Sequence, residues 1–440
     1  MNPPPPPPTP LVRASLAFAA MTAFAAPDSA EADDAARRVA EVVSLPGLVA
    51  FWDFAKREPS GGRRFVAHVP EGSPTDYPLD ADNYALDYWG EGRPATYDDF
   101  PMMGRGPFGE AIRIRREEDE HFRPLLLVPR ERLHDTPLDI KGADRSVSVV
   151  VWAIRESGNH ALAGIWHEGT DLRQASTEAI RRVERGQRQY ALFAGLSRAG
   201  GACGHVSENG ASSFTNRYAL HKSHTPDAAL QVPADSPPET LDAAWHCFAM
   251  SFDHERQEIA GWLDGTARDN WLERPERDNL ISYARLAYLQ GHYARLPGGH
   301  PEADPGFPAD QHYNPPEDES LSVEILGEEG DERVERRRYP YTEVEVVLRR
   351  DADGAFVETG RDLVGLRINP WWYPHGIYEP DDDGSGGPFS IGRVIHSARS
   401  IGFTGWIGGV AVFDRALESE EMAALAAIAK RTPVALTSAD

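Results

Sequence analysis

The stretch Trp245-His-Cys-Phe-Ala-Met-Ser-Phe-Asp253, followed by Ile259-Ala-Gly-Trp-Leu-Asp-Gly265, decides the fold. Phe248, Met250 and Phe252 fall on every second position, the repeat of a strand with one face buried. Ile259 to Leu263 returns across the polar turn Asp253 to Gln257, so the two runs form a hairpin. Working outward, Arg145 to Arg155 places Val147, Val149, Val151 and Ala153 on one face and Val150, Trp152 and Ile154 on the other. A strand apolar on both sides belongs in a sheet interior. Tyr190 to Leu196, Phe389 to Ile395 and Gly405 to Phe413 read as further strands, and Leu48 to Phe54 as an opening one. Glu343 to Arg349 alternates Val344, Val346 and Leu348 against charged neighbours, and the turn Asp351-Ala-Asp-Gly354 returns it through Ala355 to Glu358 as a second hairpin.

Helical signals are few. Asp33 to Ser44 predicts a short helix, and Ser419 to Lys430 a terminal one whose Met422, Leu425, Ala426 and Ala429 form an apolar stripe over an edge or corner of the sheets. Three segments rich in Pro, Gly, Asp, Asn, His and aromatics are expected as ordered functional loops inserted between strands: 59–103, 201–241 and 266–339. The expected architecture is an all-β sandwich with long loop insertions, a short C-terminal helix and a tail at 431–440.

Composition sets the class of partner. Among 440 residues, 45 Lys+Arg against 69 Asp+Glu leave a net charge of −24, which disfavours nucleic acid, since phosphate neutralisation needs a basic face. No apolar stretch is long enough to span a membrane. Within the leader 1–44, Arg13 precedes the apolar run Ala14 to Ala26, and Ala23-Phe-Ala25 is a possible cleavage site. The leader reads either as an atypical secretory signal, giving a secreted or cell-envelope protein, or as a disordered leader running into a helix, with a cytoplasmic protein left open. Cys203 and Cys247 are the only cysteines, so at most one bridge forms. A bridge between the 201–241 segment and the central hairpin, or two buried thiols, both fit.

Three segments resemble the LamG-like group of the concanavalin A-like lectin/glucanase superfamily. Gly47-Leu-Val-Ala-Phe-Trp-Asp-Phe54 is similar to its opening strand, the Trp245 to Gly265 hairpin to its central one, and Trp406-Ile-Gly-Gly-Val-Ala-Val-Phe-Asp-Arg-Ala-Leu417 with Glu420 and Glu421 to its closing strand and helix. Where that family places Ser as helix cap after Ala-Leu, Glu418 stands here and Ser419 follows, which predicts a cap shifted by one residue. The resemblance implies a two-sheet antiparallel jelly-roll sandwich over 45–430 whose first and last strands are neighbours. It implies no activity, because the superfamily holds lectin-like modules, hydrolases, lyases and structural domains.

The carboxylate pattern Glu-x-Asp-x-x-Glu of glycosidases in that superfamily is absent, as is the Gln-Ile-His or Gln-Val-His strand of alginate-lyase-like members. The candidate ligand-binding residues come from four clusters. Trp166, His167 and Glu168 end a strand; His205, Glu208 and Asn209 occupy a Gly-bounded loop; Trp371, Trp372, Tyr373 and His375 crowd a Pro-rich stretch; and Arg393 lies on a strand with His396 near its end. Aromatic faces stack on the C–H face of a pyranose, while Asn, Glu, Arg and His hydrogen-bond its hydroxyls. Strand alternation would place Arg393 on the face of Phe389 and Ile391, where a buried guanidinium calls for Glu168, Glu208 or a bound anion such as a uronate. The four clusters are expected to converge on one face of the sandwich.

No catalytic residue is assigned and no metal site is expected. The histidines lack H-x-x-x-H spacing, and Asp381-Asp-Asp-Gly-Ser-Gly-Gly387 is oxygen-rich without EF-hand spacing, so a calcium is possible without motif support. The first functional reading is a secreted, lectin-like carbohydrate-binding protein recognising a glycan or polysaccharide. The second is a polysaccharide lyase or glycoside hydrolase, with His205 or His396 as base, Tyr373 as acid and Arg393 neutralising a uronate. The third is a structural or protein-interaction module. The oligomeric state is not legible.

Overall fold

The computed structural model describes residues 29–116, 118–157, 161–167, 187–194, 201–210, 222–224, 232–256, 258–267, 271–273, 279–294, 312, 315–367, 376–380, 386–395 and 402–435. The chain is an all-β sandwich. One sheet holds β1 (Leu48–Trp52), β4 (Ile112–Ile114), β6 (Val147–Ser157), β11 (His246–Asp253), β12 (Glu258–Leu263), β13 (Thr266–Ala267) and β20 (Thr404–Phe413), in the order β1-β20-β6-β11-β12-β13 with β4 also on β20. The second holds β2 (Asp80–Asn83), β5 (Pro124–Val128), β7 (Ala161–His167), β8 (Gln187–Ala194), β9 (Ala202–Gly210), β10 (Lys222–His224) and β19 (Phe389–Ile391), in the order β10-β9-β8-β7-β19-β5-β2.

The central hairpin forms as its alternation predicts, with Phe252 opposite Ile259 and Phe248 opposite Leu263. The first and last strands are neighbours: β1 pairs antiparallel with β20, Trp52 opposite Val410. Between the sheets, Val147, Val149, Val151, Phe248, Met250, Phe252 and Val412 meet Leu162, Ile165, Tyr190, Leu192, Val206, Leu126 and Phe389 in one buried cluster. Burial of each such side chain contributes roughly 1.5–3 kcal/mol. The terminal helix Ser419–Ala429 covers the outer face of the first sheet and reaches its edge strand β13: Met422, Leu425, Ala426 and Ala429 pack with Val150, Trp152 and Ile154. The indole N–H of Trp152 donates to the Leu425 carbonyl at 3.0 Å. The cap of this helix does not shift. Glu418 is the N-cap, and its backbone N–H donates to Glu421 Oε2 at 2.9 Å.

Two expectations about insertions are corrected. Segment 266–339 is not simply loop. It supplies β14 (Trp271–Glu273), the helix Asn279–Tyr293, β15 (Ser322–Glu329) and β16 (Glu332–Arg338), which join β17 (Thr342–Arg350) and β18 (Phe356–Arg367) in a third sheet of order β14-β18-β17-β16-β15. The second hairpin therefore belongs to this sheet and not to the sandwich. Arg361 fastens the helix to it, donating to the Tyr288 hydroxyl at 3.0 Å and to Glu317 at 2.5 Å. Segment 59–103 likewise contributes β2 and the helix Tyr84–Trp89, and 201–241 contributes β9 and β10. A short ladder pairs β21 (Val434–Ala435) with β3 (Arg105–Gly106).

Cys203 and Cys247 are buried in different sheets, within separate outer-face clusters, and no disulfide joins them. Burial pushes the Cys247 thiol pKa far above its ordinary value. Among the described residues no helix is long and apolar enough to cross a membrane.

Candidate functional site

Alternation on the second sheet sends Tyr190, Leu192 and Ala194 inward and Ala191 and Phe193 outward. On that outer face Trp166, Phe193 and His205 meet edge to face or tilted, with centroids 5.9 Å (Trp166 to Phe193), 5.2 Å (Trp166 to His205) and 5.3 Å (Phe193 to His205) apart. Val394 completes the cluster. Trp166 is 5% exposed and His205 fully buried, so the two rings spend their faces on each other and on Phe193. His205 has no access to a substrate and cannot serve as the base considered above. The reason is a correction: Cys203 to Gly210 is not a Gly-bounded loop but strand β9, and alternation turns His205 into the cluster.

Beside this cluster lies a polar cleft of about 510 Å³, spanning the ends of β2, β5, β7 and β8 and the lead into β19. His167, Gln187, Asp82, Asp87, Arg130 and Glu131 line it, together with Leu127, Pro388 and Ile395. His167, Gln187 and Arg130 are buried. The backbone is drawn tight here. A Cβ on Gly387 would lie 2.9 Å from the Cβ of His167, and one on Gly386 would lie 2.4 Å from the Arg130 guanidinium carbon, so only glycine lets the chain cross these side chains.

The electrostatics follow from burial and pairing. Burial, reinforced by a hydrogen bond to and the charge of Asp87, pushes the Asp82 pKa up to about 7. Asp82 also accepts the Asn83 backbone N–H at 2.8 Å. Arg130 donates to Asp139 at 2.7 Å and Lys141 lies 2.9 Å from it. Burial opposes ionisation of Asp139, but those two cations hold its pKa below the ordinary value. Asp80 is paired with Arg64 at 2.7 Å and with Arg132.

Arg393 is not on a regular strand. β19 ends at Ile391, and Gly392 at φ +83° breaks the alternation that would have aligned Arg393 with Phe389 and Ile391. Its guanidinium, 1% exposed, donates to the Pro124 carbonyl at 3.3 Å and shares a hydrogen bond with the Tyr84 hydroxyl, and burial lowers its pKa. Tyr84 opens the helix that carries Asp87, and Asn83 caps that helix by accepting the Ala85 N–H. Arg393 thus positions the cleft wall.

Of the other expected site residues, Glu208 is half-buried near the end of β9. Burial pushes its pKa up to about 7, partly offset by a hydrogen bond from the Gly376 backbone. The Tyr378 N–H donates to the Ser207 carbonyl at 2.7 Å. Asn209 lies in β9. Glu168, Trp371, Trp372, Tyr373, His375 and His396 lie outside the described residues, as does the start of the acidic run at 381–385. Trp166, His167, His205 and Glu208 lie on strands of the second sheet, and the chain after Arg393 is held against it, since Ile395 N–H donates to the Trp166 carbonyl at 3.3 Å. Asp82, Asp87, Arg130 and Gln187 were missed. The alternation Leu79-Asp-Ala-Asp-Asn83 carried a strand signal inside a segment read as loop. Among the described residues no group of three or more metal-ligating side chains is gathered.

No family model and no curated protein matches the chain. Solved structures to which it is similar include domain 4 of AbnA, a GH43 extracellular arabinanase from Geobacillus stearothermophilus, in complex with arabinotriose, at 9% identity over 86% of this chain and 98% of that one, TM-score 0.34. The botulinum neurotoxin serotype G binding domain is similar at 8% identity over 87% and 51% of the respective chains, TM-score 0.35. The CBM40 of the Ruminococcus gnavus IT-sialidase, bound to alpha2,3 sialyllactose, is similar at 9% identity over 72% and 95%, TM-score 0.32.

Proposed function

We propose that the chain is a carbohydrate-binding protein whose ligand lies in the cleft on the outer face of the second sheet. The observation that carries this is the cleft lining: Asp82, Asp87, Gln187, His167 and Arg130 line one cleft together with Leu127, Pro388 and Ile395. A polyhydroxylated ring needs that mixture of directional donors and acceptors beside an apolar surface. Trp371, Trp372, Tyr373 and His375 are assigned the stacking role, supported by the anchoring of the adjoining Gly376 and Tyr378 to β9. Glu208 and Arg393 support the same face, Trp166 and His205 brace it from within, and Glu168, Asn209 and His396 are assigned to ligand binding with them. The LamG-like assignment and export to the cell envelope or medium belong to this reading. The paired terminal strands and the central hairpin support the first, and the Arg13 to Ala26 leader the second.

A hydrolase is the second reading, favoured by the raised pKa of Asp82 beside Asp87. A carboxyl with a pKa of about 7 can donate to a leaving oxygen. A panel of plant, algal and microbial polysaccharides, assayed for both binding and release of reducing or unsaturated ends, tests both. Binding without new ends, weakened about tenfold by Gln187→Ala, supports the first reading. New ends that disappear with Asp82→Asn support the second. Neither binding nor products across the panel would overturn both.

A further inference from the structure

We propose that β15 is a self-association edge through which two copies of this chain join their third sheets antiparallel, β15 against β15. Among the described residues, β15 terminates that sheet, and all eight of its residues are exposed. Leu321 is 68% exposed, Val323 51%, Ile325 55% and Leu326 41%, and these are four of the six large hydrophobics found exposed among the described residues. An edge strand presents alternate backbone N–H and C=O groups to any chain that can pair with it. Proteins blunt such an edge with charged side chains, Pro, bulges or a cover; Leu321 to Glu329 contains neither Lys nor Pro, and its carboxylates, Glu324, Glu328 and Glu329, leave Leu321, Val323, Ile325 and Leu326 as an exposed apolar run. The register irregularity between Ile325 and Gly327 bends the strand without covering it.

The charge order selects a second copy as occupant. The N-terminal half of β15 lies beside basic residues of β16, Ser322 opposite Arg338 and Val323 opposite Arg337, while its C-terminal half carries Glu328 and Glu329. An antiparallel pairing with Ile325 opposite Leu326 of the second copy sets Glu328 against Val323 and Glu329 against Ser322. Each acid then shares a face with Arg337 or Arg338 of the second copy, two strand spacings or about 10 Å away between Cα atoms, within reach of the two side chains. The same register places Glu324 opposite Gly327, so no carboxylate faces another. Eight paired residues form a small interface beside the roughly 1,200–2,000 Å² of a stable complex, so the association is expected in the micromolar range.

The test is sedimentation equilibrium of the full chain from about 1 to about 300 micromolar, with hydrogen exchange at both ends of that range. The expected result is a concentration-dependent dimer, weaker at high salt, whose β15 amides gain protection as it forms. Ile325→Lys, an exposed change, should leave the thermal midpoint in place and raise the dissociation constant about tenfold or more. Glu329→Arg should weaken the dimer, and adding Arg338→Glu should restore it. A monomer throughout, a dimer indifferent to Ile325→Lys, or β15 amides protected at every concentration by another segment of the same chain would each overturn the proposal.

Discussion

The two outer faces of the sandwich start from the same backbone and end in opposite uses. On the first sheet the outward positions of β6 are Val150, Trp152 and Ile154, and the helix Ser419–Ala429 closes over them as a second core. On the second sheet the outward aromatics Trp166 and Phe193 close only a small cluster, and beside it the face opens into a cleft lined by Asp82, Asp87, His167 and Gln187. The alternation of a strand fixes which residues point outward. Their chemistry fixes whether the face is sealed or left to a ligand. An apolar helix face would not serve the second face as it serves the first, because the carboxyls of Asp82 and Asp87 and the buried guanidinium of Arg130 need polar partners.

That contrast can be broken from either side. The largest effect is expected at Trp152→Ala, which empties the sealed face and removes the bond to the Leu425 carbonyl: about 3–5 kcal/mol of stability lost in urea denaturation, with glycan affinity retained by the folded fraction. Loss of affinity with unchanged stability would show that the two faces are not independent.

Next is the proton on the open face. The Asp82 pKa is raised to about 7 in the folded chain from an ordinary 3.8, so between these values the native state binds more protons than the unfolded one. Stability should therefore fall as pH rises from about 4 to about 7 and level off above. Glu110 and Glu208, also raised to about 7 by burial, act in the same direction. Asp82→Asn should shrink the difference between denaturation midpoints at pH 5 and pH 8 without abolishing it. An unchanged difference would remove Asp82 from the pH response.

A smaller effect is expected at Gly387→Ala, whose added methyl must displace His167: about 1 kcal/mol or slightly more in stability, with a larger proportional loss of glycan affinity. The smallest is expected at Arg256→Ala on the rim of the sealed face. Arg256 and Glu418 have side chains each 57% exposed, so breaking their pair should change stability by less than about 1 kcal/mol, and by less still in high salt.

The sequence by itself determined the all-β class, the central hairpin, the doubly buried strand β6, the neighbouring terminal strands and the apolar stripe of the last helix. The neighbouring terminal strands follow from the family resemblance; the others rest on a period of two or near 3.6 that survives whatever the strand or helix packs against. It also pointed to the strands that bear the site, through Trp166, His167 and Glu208. Only the tertiary structure decided that the hairpin of Val344 and Val346 belongs to a third sheet, that His205 is spent inside an aromatic cluster, and that Arg393 holds Tyr84. The Asp82 and Asp87 pair was equally hidden, because one comes from a four-residue edge strand and the other from the helix after it. Pattern along a chain reports which face of an element is apolar. Which element covers that face, and which carboxyl is pressed against another, depends on residues distant in sequence and is settled only when the sheets close.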